Sequence, residues 1–327
     1  MNIKYAEKSI QTERFNTAVL FVVFNRPDTT KQVFEAIRKA KPPRLYVAAD
    51  GPRLNTPNDI EKIREVRETI LQNIDWECEV KTLFREENLS CGIAVKEALD
   101  WFFENEEQGI VLEDDTVPSL SFFWYCEELL EKYKHDERIG LISGVNHIGY
   151  IPKQSSYVFS KNKACWGWAS WRRSWRNMDF NMNWRESIQS EQVMYNMGVS
   201  TYHYPQWKKA LKAIDEKLVN AWDWQWYFSI AAQNQLTIFP SANLISNIGI
   251  GQDATHTFGK PKKEEIERFE INLPLTHPVL VCPEFNFDLL FEQYRMKPRK
   301  PRWISTLIKF IPKEVRIIIK KVLFISS

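Results

Sequence analysis

The stretch Ile110-Val111-Leu112-Glu113-Asp114-Asp115 decides how this sequence is interpreted. Its apolar half is typical of a buried strand, and three consecutive carboxylates follow that strand. Open α/β sheets bind ligands beyond the carboxyl ends of their strands. Crowded carboxylates repel one another unless a cation neutralises them, and their hard oxygens suit Mg²⁺ or Mn²⁺. The stretch therefore predicts a metal site that grips a diphosphate. An acidic first turn of a helix is the alternative.

Predicted strands and helices alternate on both sides of this stretch. The apolar run TAVLFVVF, residues 17–24, predicts a strand buried on both faces. The pattern adds strands at 44–49, 80–84 and 139–143 and helices at 29–40, 58–74, 91–104 and 119–134. Such alternation is the signature of βαβ units. We predict the α/β class, with a Rossmann-like, mostly parallel sheet flanked by helices.

Composition limits the class of protein and its compartment. The 327 residues are 44% hydrophobic and 26% charged, as in ordinary globular proteins. The five cysteines form no CxxC pair, which indicates reduced thiols in a cytoplasmic protein. Charged residues Glu7, Glu13 and Arg14 leave no apolar core for a signal peptide, and no uncharged apolar stretch of about 18 residues exists. A cytoplasmic location is therefore expected.

Polar residues follow each of the four predicted parallel strands, at one edge of the sheet. They are Asn25-Arg26-Pro27, Asp50-Gly51, Arg85 through Asn88, and the three acids 113–115. No GxGxxG or GxxxxGK[ST] occurs, which argues against a dinucleotide site and a P-loop. Arg26 and Arg85 are candidates for phosphate contacts, because a guanidinium fork fits phosphate oxygens. Both could instead be solvent-facing turn residues, and Asp50-Gly51 could be a plain turn.

The order of these motifs resembles a known family. The segments VLFVVFNRP, VAADGPR, REENLSCGIAVKEALDWFF, IVLEDD and PSLSFFWYCEELLEKY look like metal-dependent nucleotide-sugar glycosyltransferases of the A-type fold. The N-acetylglucosaminyltransferase I group and its bacterial relatives are the most similar. The likeness covers residues 17–260 and is strongest over 17–146. It implies that Asp115 of a DxD-type motif coordinates Mn²⁺ or Mg²⁺. It further implies that Asp114 contacts the donor ribose or sugar, Glu113 supports the site, and Asp50 contacts the base.

Two tryptophan-rich segments extend the resemblance into the second half of the chain. CWGWASW, residues 165–171, resembles the family's segment beside the sugar pocket, which makes Trp166 and Trp168 donor-binding candidates. Of the four residues Trp166, Trp168, Trp171 and Trp175, two are expected to be core packing instead. WDWQW, residues 222–226, resembles the family's Trp-Asp-Asp-Trp, which implies that Asp223 is the general base. Only one acid stands in this segment, and capping a helix is the alternative role for it.

His256 lies in a loop that the resemblance places over the donor. It implies a histidine that touches the diphosphate or completes the metal shell, although an ordinary loop histidine fits the sequence equally well.

The last 33 residues differ in charge from the rest. Residues 295–327 carry ten Lys or Arg and one acid, a local charge of +9, and the other 294 residues sum to −7. From Pro312 the pattern predicts a short amphipathic helix of about 20 Å, too short to span a bilayer. We predict an interfacial helix on anionic lipids, at the cytoplasmic face of the membrane. Docking on protein is the alternative. No nucleic-acid-binding motif accompanies the charge.

The sequence thus predicts one catalytic domain over 15–283 and a basic tail over 295–327. Within the domain, 15–146 is the nucleotide-binding half and 147–283 the acceptor and sugar half. The expected activity moves a sugar from a nucleotide-diphosphate donor, with UDP as the expected carrier, to a glycan or lipid-linked hydroxyl. Inversion at the sugar and a place in bacterial surface polysaccharide synthesis follow from the resemblance. A sugar-1-phosphate nucleotidyltransferase and a non-catalytic sugar- or nucleotide-binding module are the alternatives.

Overall fold

The structure, a computed structural model, describes residues 15–220, 222–249 and 267–296. The strands are β1 Val19–Val23, β2 Arg44–Ala49, β3 Glu79–Phe84, β4 Gln108–Glu113, β5 Thr116–Pro118, β6 Ile139–Ser143, β7 Tyr157–Ser160, β8 Trp168–Trp171, β9 Leu236–Pro240 and β10 Ile245–Asn247. The helices are α1 Pro27–Ala40, α2 Pro57–Gln72, α3 Ser90–Asn105, α4 Ser121–Lys132, α5 Arg172–Trp175, α6 Ser190–Tyr195, α7 His203–Asp215, α8 Asp223–Ala232 and α9 Phe285–Met296. The predicted elements of residues 17–143 are all present, with ends shifted by three residues or fewer.

Eight of the described strands form one sheet in the order β3-β2-β1-β4-β8-β6-β9-β7. The first four strands are parallel, and β6 pairs with β9 in parallel. Strands β8 and β7 pair antiparallel with their neighbours. The predicted α/β class, with a mostly parallel sheet flanked by helices, is confirmed. The strands β5 and β10 form a separate antiparallel pair.

The first strand shows why both faces of the sheet are covered. Its side chains alternate, so Val19 and Phe21 pack in one hydrophobic cluster with Phe34 of α1. Leu20 points to the opposite face and packs in a second cluster with Leu99 of α3. A continuous apolar run is what a strand buried between two helical layers requires. The run at 17–24 therefore predicted the layering of the core.

Strand pairing brings the predicted polar turns together. Val22 of β1 lies beside Glu113 of β4, and Val23 lies beside Ala49 of β2. The chain continues from these positions into Phe24 on one strand and Asp50 on the next. Parallel pairing therefore sets the acids of β4 and the turns after β1 and β2 at one edge of the sheet.

Helix α9 belongs to the packed core although it follows Pro283, the predicted end of the catalytic domain. Its Phe287 and Phe291 are buried and stack on each other with ring centroids 5.6 Å apart. Both rings also contact Phe239 of β9. Packing of the described chain thus continues through α9. The predicted amphipathic helix after Pro312 lies outside the described residues. Among the residues that are described, no helix is long and apolar enough to cross a membrane.

Candidate active site

One large cavity, about 1520 Å³, opens at the carboxyl ends of β1, β2, β3 and β4. Its far wall comes from the second half of the chain, through α8, α9 and the segment before β8. Nine predicted site residues line it: Asn25, Arg26, Asp50, Arg85, Glu113, Asp114, Asp115, Trp166 and Asp223. Residues about 200 positions apart in sequence, such as Asn25 and Asp223, therefore line one cavity.

Arg26 is bound to the acids at the end of β4. Its guanidinium forms an ion pair with Asp114 and donates from Nη1 to Asp115 Oδ2 at 3.0 Å. The amide N–H of Phe24 also donates to Asp114, at 3.3 Å. Burial raises the pKa of the Asp114 carboxyl, and the charge of Arg26 opposes that shift. Asp114 is thus a buried carboxylate that depends on one arginine. The phosphate contact predicted for Arg26 would require the guanidinium to turn toward a ligand.

Glu113 lies among three other carboxylates, whose charges Arg26 offsets only in part. Burial raises the pKa of its carboxyl well above the usual value, and the charges of Asp115, Asp223 and Asp114 raise it further. The pKa of the Cys91 thiol is raised to about 12 by burial, with Glu113 and Asp223 contributing. Four carboxylates therefore act on one another across the cavity. A crowded set of this kind is stabilised by an added cation.

Asp223 is the first residue of α8, and it lines the cavity. The peptide dipoles of a helix favour a negative charge at this position. The same helix buries Trp226 and Tyr227 behind it, which fixes its place in the fold. The predicted base and the predicted metal ligand Asp115 are thus brought to one cavity by different elements.

Asp59, which the sequence did not single out, organises the wall next to β1. It is buried in the first turn of α2 and accepts from Arg53 Nε at 2.7 Å and Nη2 at 2.9 Å. Asn25 Nδ2 donates to it at 2.7 Å. The hydrogen bonds of Arg53, with that of Asn25, lower the pKa of Asp59 to about 2. Asn25 is therefore held at the cavity by a carboxylate that stays ionised.

Asp50 and Arg85 reach the cavity, but each already has protein partners. The Asp50 carboxylate accepts from the N–H groups of Leu89 and Gly51, both at 3.0 Å, and from Asn88 Nδ2 at 2.9 Å. These bonds fix the turn that precedes α3. Arg85 Nη2 donates to Glu97 at 2.9 Å. The structure thus gives Asp50 the turn role that was the alternative in sequence, beside a place on the cavity wall.

The Trp-rich segment is mostly core. Trp168 lies in β8 with none of its side chain exposed, and it stacks on Trp222 with ring centroids 5.7 Å apart. Trp168, a predicted donor-binding residue, is thus buried in the core and is not among the residues that line the cavity. Trp171 and Trp175 are buried as well. Three of the four tryptophans are structural, where two were expected, and Trp166 alone of the four lines the cavity.

The strand pair β5–β10 covers the acid cluster from one side. Ile248 N–H donates to the carbonyl oxygen of Asp115 at 2.9 Å. A Cβ atom on Gly249 would collide with the Asp115 carboxylate, so only glycine lets the backbone approach this closely. His256, the second predicted metal ligand, lies outside the described residues.

A divalent cation fits the acids by charge and by ligand type. Within the described ranges, no group of three His, Cys, Asp or Glu side chains forms a ready-made metal site. The oxygens of Asp115 and Glu113 are hard ligands, and the excess negative charge around Glu113 is what a cation would relieve. Mg²⁺ and Mn²⁺ typically take one or two protein carboxylates and complete their shell with phosphate oxygens and water. The cluster suits a cation that arrives with a diphosphate.

Comparison with known proteins adds little. No family model and no curated protein matches this chain. Among solved structures it is similar to mouse xyloside xylosyltransferase 1, at 12% identity over 68% of this chain and 84% of that one, TM-score 0.35. It is also similar to a UDP-glucose pyrophosphorylase bound to UDP-glucose (10% identity, 50% and 78%, TM-score 0.30) and to HddC from Yersinia pseudotuberculosis (10%, 48% and 77%, TM-score 0.29). Likenesses this partial carry no argument about the present chain.

Proposed function

We propose that this protein is a metal-dependent glycosyltransferase of the A-type fold. It moves a sugar from a nucleotide-diphosphate donor to a hydroxyl group of a glycan or lipid-linked acceptor. The observation that carries the proposal is the convergence of Glu113, Asp114, Asp115 and Asp223 on one cavity. Glu113 is the last residue of the parallel strand β4, and Asp114 and Asp115 follow it, where α/β proteins bind nucleotides. Asp223 is the first residue of helix α8.

Asp115, with Glu113 beside it, supplies the oxygens for Mg²⁺ or Mn²⁺ in this proposal. The ion, when bound, acts as a Lewis acid that stabilises charge on the departing diphosphate. Asp114 remains paired with Arg26 and holds the end of β4 in place. Arg85 lines the cavity and is the candidate for a phosphate contact, whereas Arg26 would have to turn away from Asp114 to make one.

Asp223 receives the proton of the acceptor hydroxyl. The acceptor oxygen forms a bond to the anomeric carbon while the bond from that carbon to the phosphate oxygen breaks, and its electron pair leaves with the diphosphate. Attack from the face of the sugar opposite the leaving diphosphate gives inversion, the outcome that the resemblance in sequence implies. Proton transfer by a positioned carboxylate contributes about 10²–10⁴-fold to rate.

The finer parts of the proposal concern the donor, the pathway and the tail. UDP is the expected nucleotide, and bacterial surface polysaccharide the expected product. In this proposal the basic segment 297–327 binds anionic lipids at the cytoplasmic face of the membrane. A flotation assay with anionic liposomes tests the last point. The full chain should float and a chain ending at Met296, which retains α9, should not.

A thermal-shift panel of nucleotides and sugar nucleotides tests the proposed function. The true donor with Mn²⁺ should raise the melting temperature, because a ligand at about 100 times its Kd adds about 2.7 kcal/mol to the unfolding free energy. The shift should vanish with EDTA and in Asp115→Asn. Asp75→Asn is the matched control, because Asp75 pairs with Arg38 on the outer surface. Equal shifts with EDTA and Mn²⁺ would overturn metal dependence, and no shift with any nucleotide would overturn the proposal.

A further inference from the structure

Helix α9 is anchored by two buried carboxylates. Asp288 and Glu292 both have no exposed surface. Asp288 accepts from Asn162 Nδ2 at 2.9 Å, whereas Glu292 accepts from the N–H groups of Val199 at 2.6 Å and Ser200 at 2.9 Å. Buried acids are tolerated only when hydrogen bonds of this kind satisfy them, and they then fix one geometry. The anchoring sets the last described turn of α9 at the cavity.

That turn places a preorganised cation on the cavity wall. Arg295 Nη1 donates to the carbonyl oxygen of Lys163 at 2.8 Å, and its guanidinium lies 5.6 Å from the ring centroid of Phe291. The carbonyl bond uses one of the five guanidinium N–H groups. Arg295 lines the cavity, and its side chain is largely exposed. Donors therefore remain for a ligand, and two contacts already restrict their position.

Three rings beside Arg295 form an aromatic patch on the same wall. The His147 ring lies 5.2 Å from Trp166 and 6.0 Å from Tyr294, measured between centroids. All three residues line the cavity. Flat apolar faces of this kind suit a sugar ring, whose C–H face packs on aromatic carbons while its hydroxyls bind polar groups.

Helix α8, which carries the proposed base Asp223, contacts the segment that carries Trp166. Burial raises the pKa of Tyr227, the charge of Asp223 adds to the shift, and the charge of Arg295 opposes it. Tyr227 follows Asp223 by four residues on α8, so the two side chains lie on one face of that helix. Its hydroxyl accepts from the N–H of Cys165, the residue before Trp166, at 3.1 Å. Asp223, Trp166 and Arg295 all line the cavity, so one ligand can face all three side chains.

We propose that Arg295, Tyr294, His147 and Trp166 form the acceptor subsite, and that its ligand is a sugar bearing an anionic group. The rings take the sugar, Arg295 takes a phosphate or carboxylate on it, and a hydroxyl of the same sugar is presented to Asp223. An anionic acceptor would be repelled by the four carboxylates of the cavity unless a fixed cation received its charge. The inference rests on the proposed function, which it deepens by naming the acceptor class.

Ligand-detected NMR and calorimetry on the full chain, with UDP and Mn²⁺ present, test the subsite. The probes are glucose 1-phosphate, glucuronate and glucose, so that a phosphate, a carboxylate and a neutral sugar are compared. At least one anionic probe should bind about tenfold or more tightly than glucose. Arg295→Gln should remove that preference, because a hydrogen bond to a charged group is worth about a factor of ten or more. Arg64→Gln, on the outer face of α2, is the matched control and should bind as the wild type does.

Each outcome separates the subsite from the donor site. Arg295→Gln should leave UDP affinity unchanged; an equal loss of UDP affinity would assign Arg295 to the donor diphosphate and overturn the inference. Equal binding of glucose and both anions to the wild type would overturn it as well. If UDP does not bind the wild type, the proposed function fails. The same titrations without nucleotide then still report whether Arg295 selects anions. Unchanged melting of Arg295→Gln verifies folding.

Discussion

Two groups of side chains line the same cavity. One is Asp59 with Arg53 and Asn25, and the other is the acid cluster of Glu113, Asp114, Asp115 and Asp223. The electrostatic surroundings of their carboxylates are opposite. Asp59 is enclosed by Arg53 and Asn25, and its pKa is lowered to about 2. Glu113 is enclosed by other acids, and burial with their charges raises its pKa well above the usual value. The ionised carboxylate of Asp59 therefore stabilises the folded protein, whereas an ionised Glu113 carboxylate destabilises it at neutral pH. An acid that lines a cavity and lowers the stability of the folded protein when ionised is a candidate for binding a cation.

Asp223 adds to the negative charge around Glu113, and its substitution should have the largest effect. Asp223→Asn should lower the rate of sugar transfer by about 10²–10⁴-fold, because the proton of the acceptor hydroxyl loses its carboxylate. Donor affinity in the presence of Mn²⁺ should be retained within a few-fold. Steady-state kinetics with calorimetry of the donor measures both quantities. A variant with normal turnover would remove Asp223 from the chemistry.

The arginines of the two groups provide a second test. Arg26→Gln leaves the buried Asp114 charge without its partner and should lower the unfolding free energy by about 3–5 kcal/mol. Arg53→Gln should cost less, about 2 kcal/mol, since Arg53 is half-exposed.

Mn²⁺ with UDP distinguishes these two variants. The cation should recover part of the stability of Arg26→Gln, because it replaces positive charge beside Asp115 and Asp114. Mn²⁺ with UDP should raise the unfolding free energy of Arg53→Gln no more than it raises that of the wild type. Chemical denaturation of the wild type and both variants, each with and without Mn²⁺ and UDP, measures the six unfolding free energies. Equal recovery in both variants would contradict the distinction between the two groups.

Asp59 predicts a pH dependence of known sign. Its pKa falls from an ordinary 3.8 to about 2 in the folded protein, so its contribution is present above pH 4 and is lost as pH falls toward 2. Asp59→Asn should be less stable than the wild type by about 2 kcal/mol at neutral pH. The difference should shrink between pH 4 and pH 2 in denaturation curves. A difference independent of pH would show that packing, rather than charge, explains the role of Asp59.

Glu113 should behave in the opposite way, with the smallest effect. Glu113→Gln removes a carboxyl whose ionised form is unfavourable in the folded protein, so the metal-free variant should be more stable than the wild type at neutral pH. Thermal melting in EDTA measures the gain. The same variant should show a smaller increase in melting temperature with Mn²⁺ and UDP than the wild type does. A destabilised variant would show that the Glu113 carboxylate has a partner it depends on.

The strand ends were predictable because local patterns determined them. Apolar runs that stop at Asn25, Asp50 and Glu113 predict parallel strands, and parallel strands deliver those residues to one edge. The details of partnership were not predictable. Asp59 lies in the first turn of an amphipathic helix, where acids are common, so nothing in its sequence context indicates burial against Arg53.

The second half of the cavity was harder to predict. Trp168 stands in a four-residue antiparallel strand inserted beside β4, and so short a strand between Trp-rich loops leaves no readable alternation. Arg295 was assigned to the basic tail because of its charge, and Tyr294 was not singled out. Their place on the cavity depends on Asp288 and Glu292, whose hydrogen bonds reach residues about 90 to 130 positions earlier in the chain.

Calorimetric titration of UDP into the wild-type protein, with Mn²⁺ and then with EDTA, tests most directly whether the acids at the end of β4 bind a cation together with a diphosphate. The account predicts that UDP binds at least tenfold more tightly with Mn²⁺, and that Asp115→Asn removes this difference. The same UDP affinity in Mn²⁺ and in EDTA would contradict it.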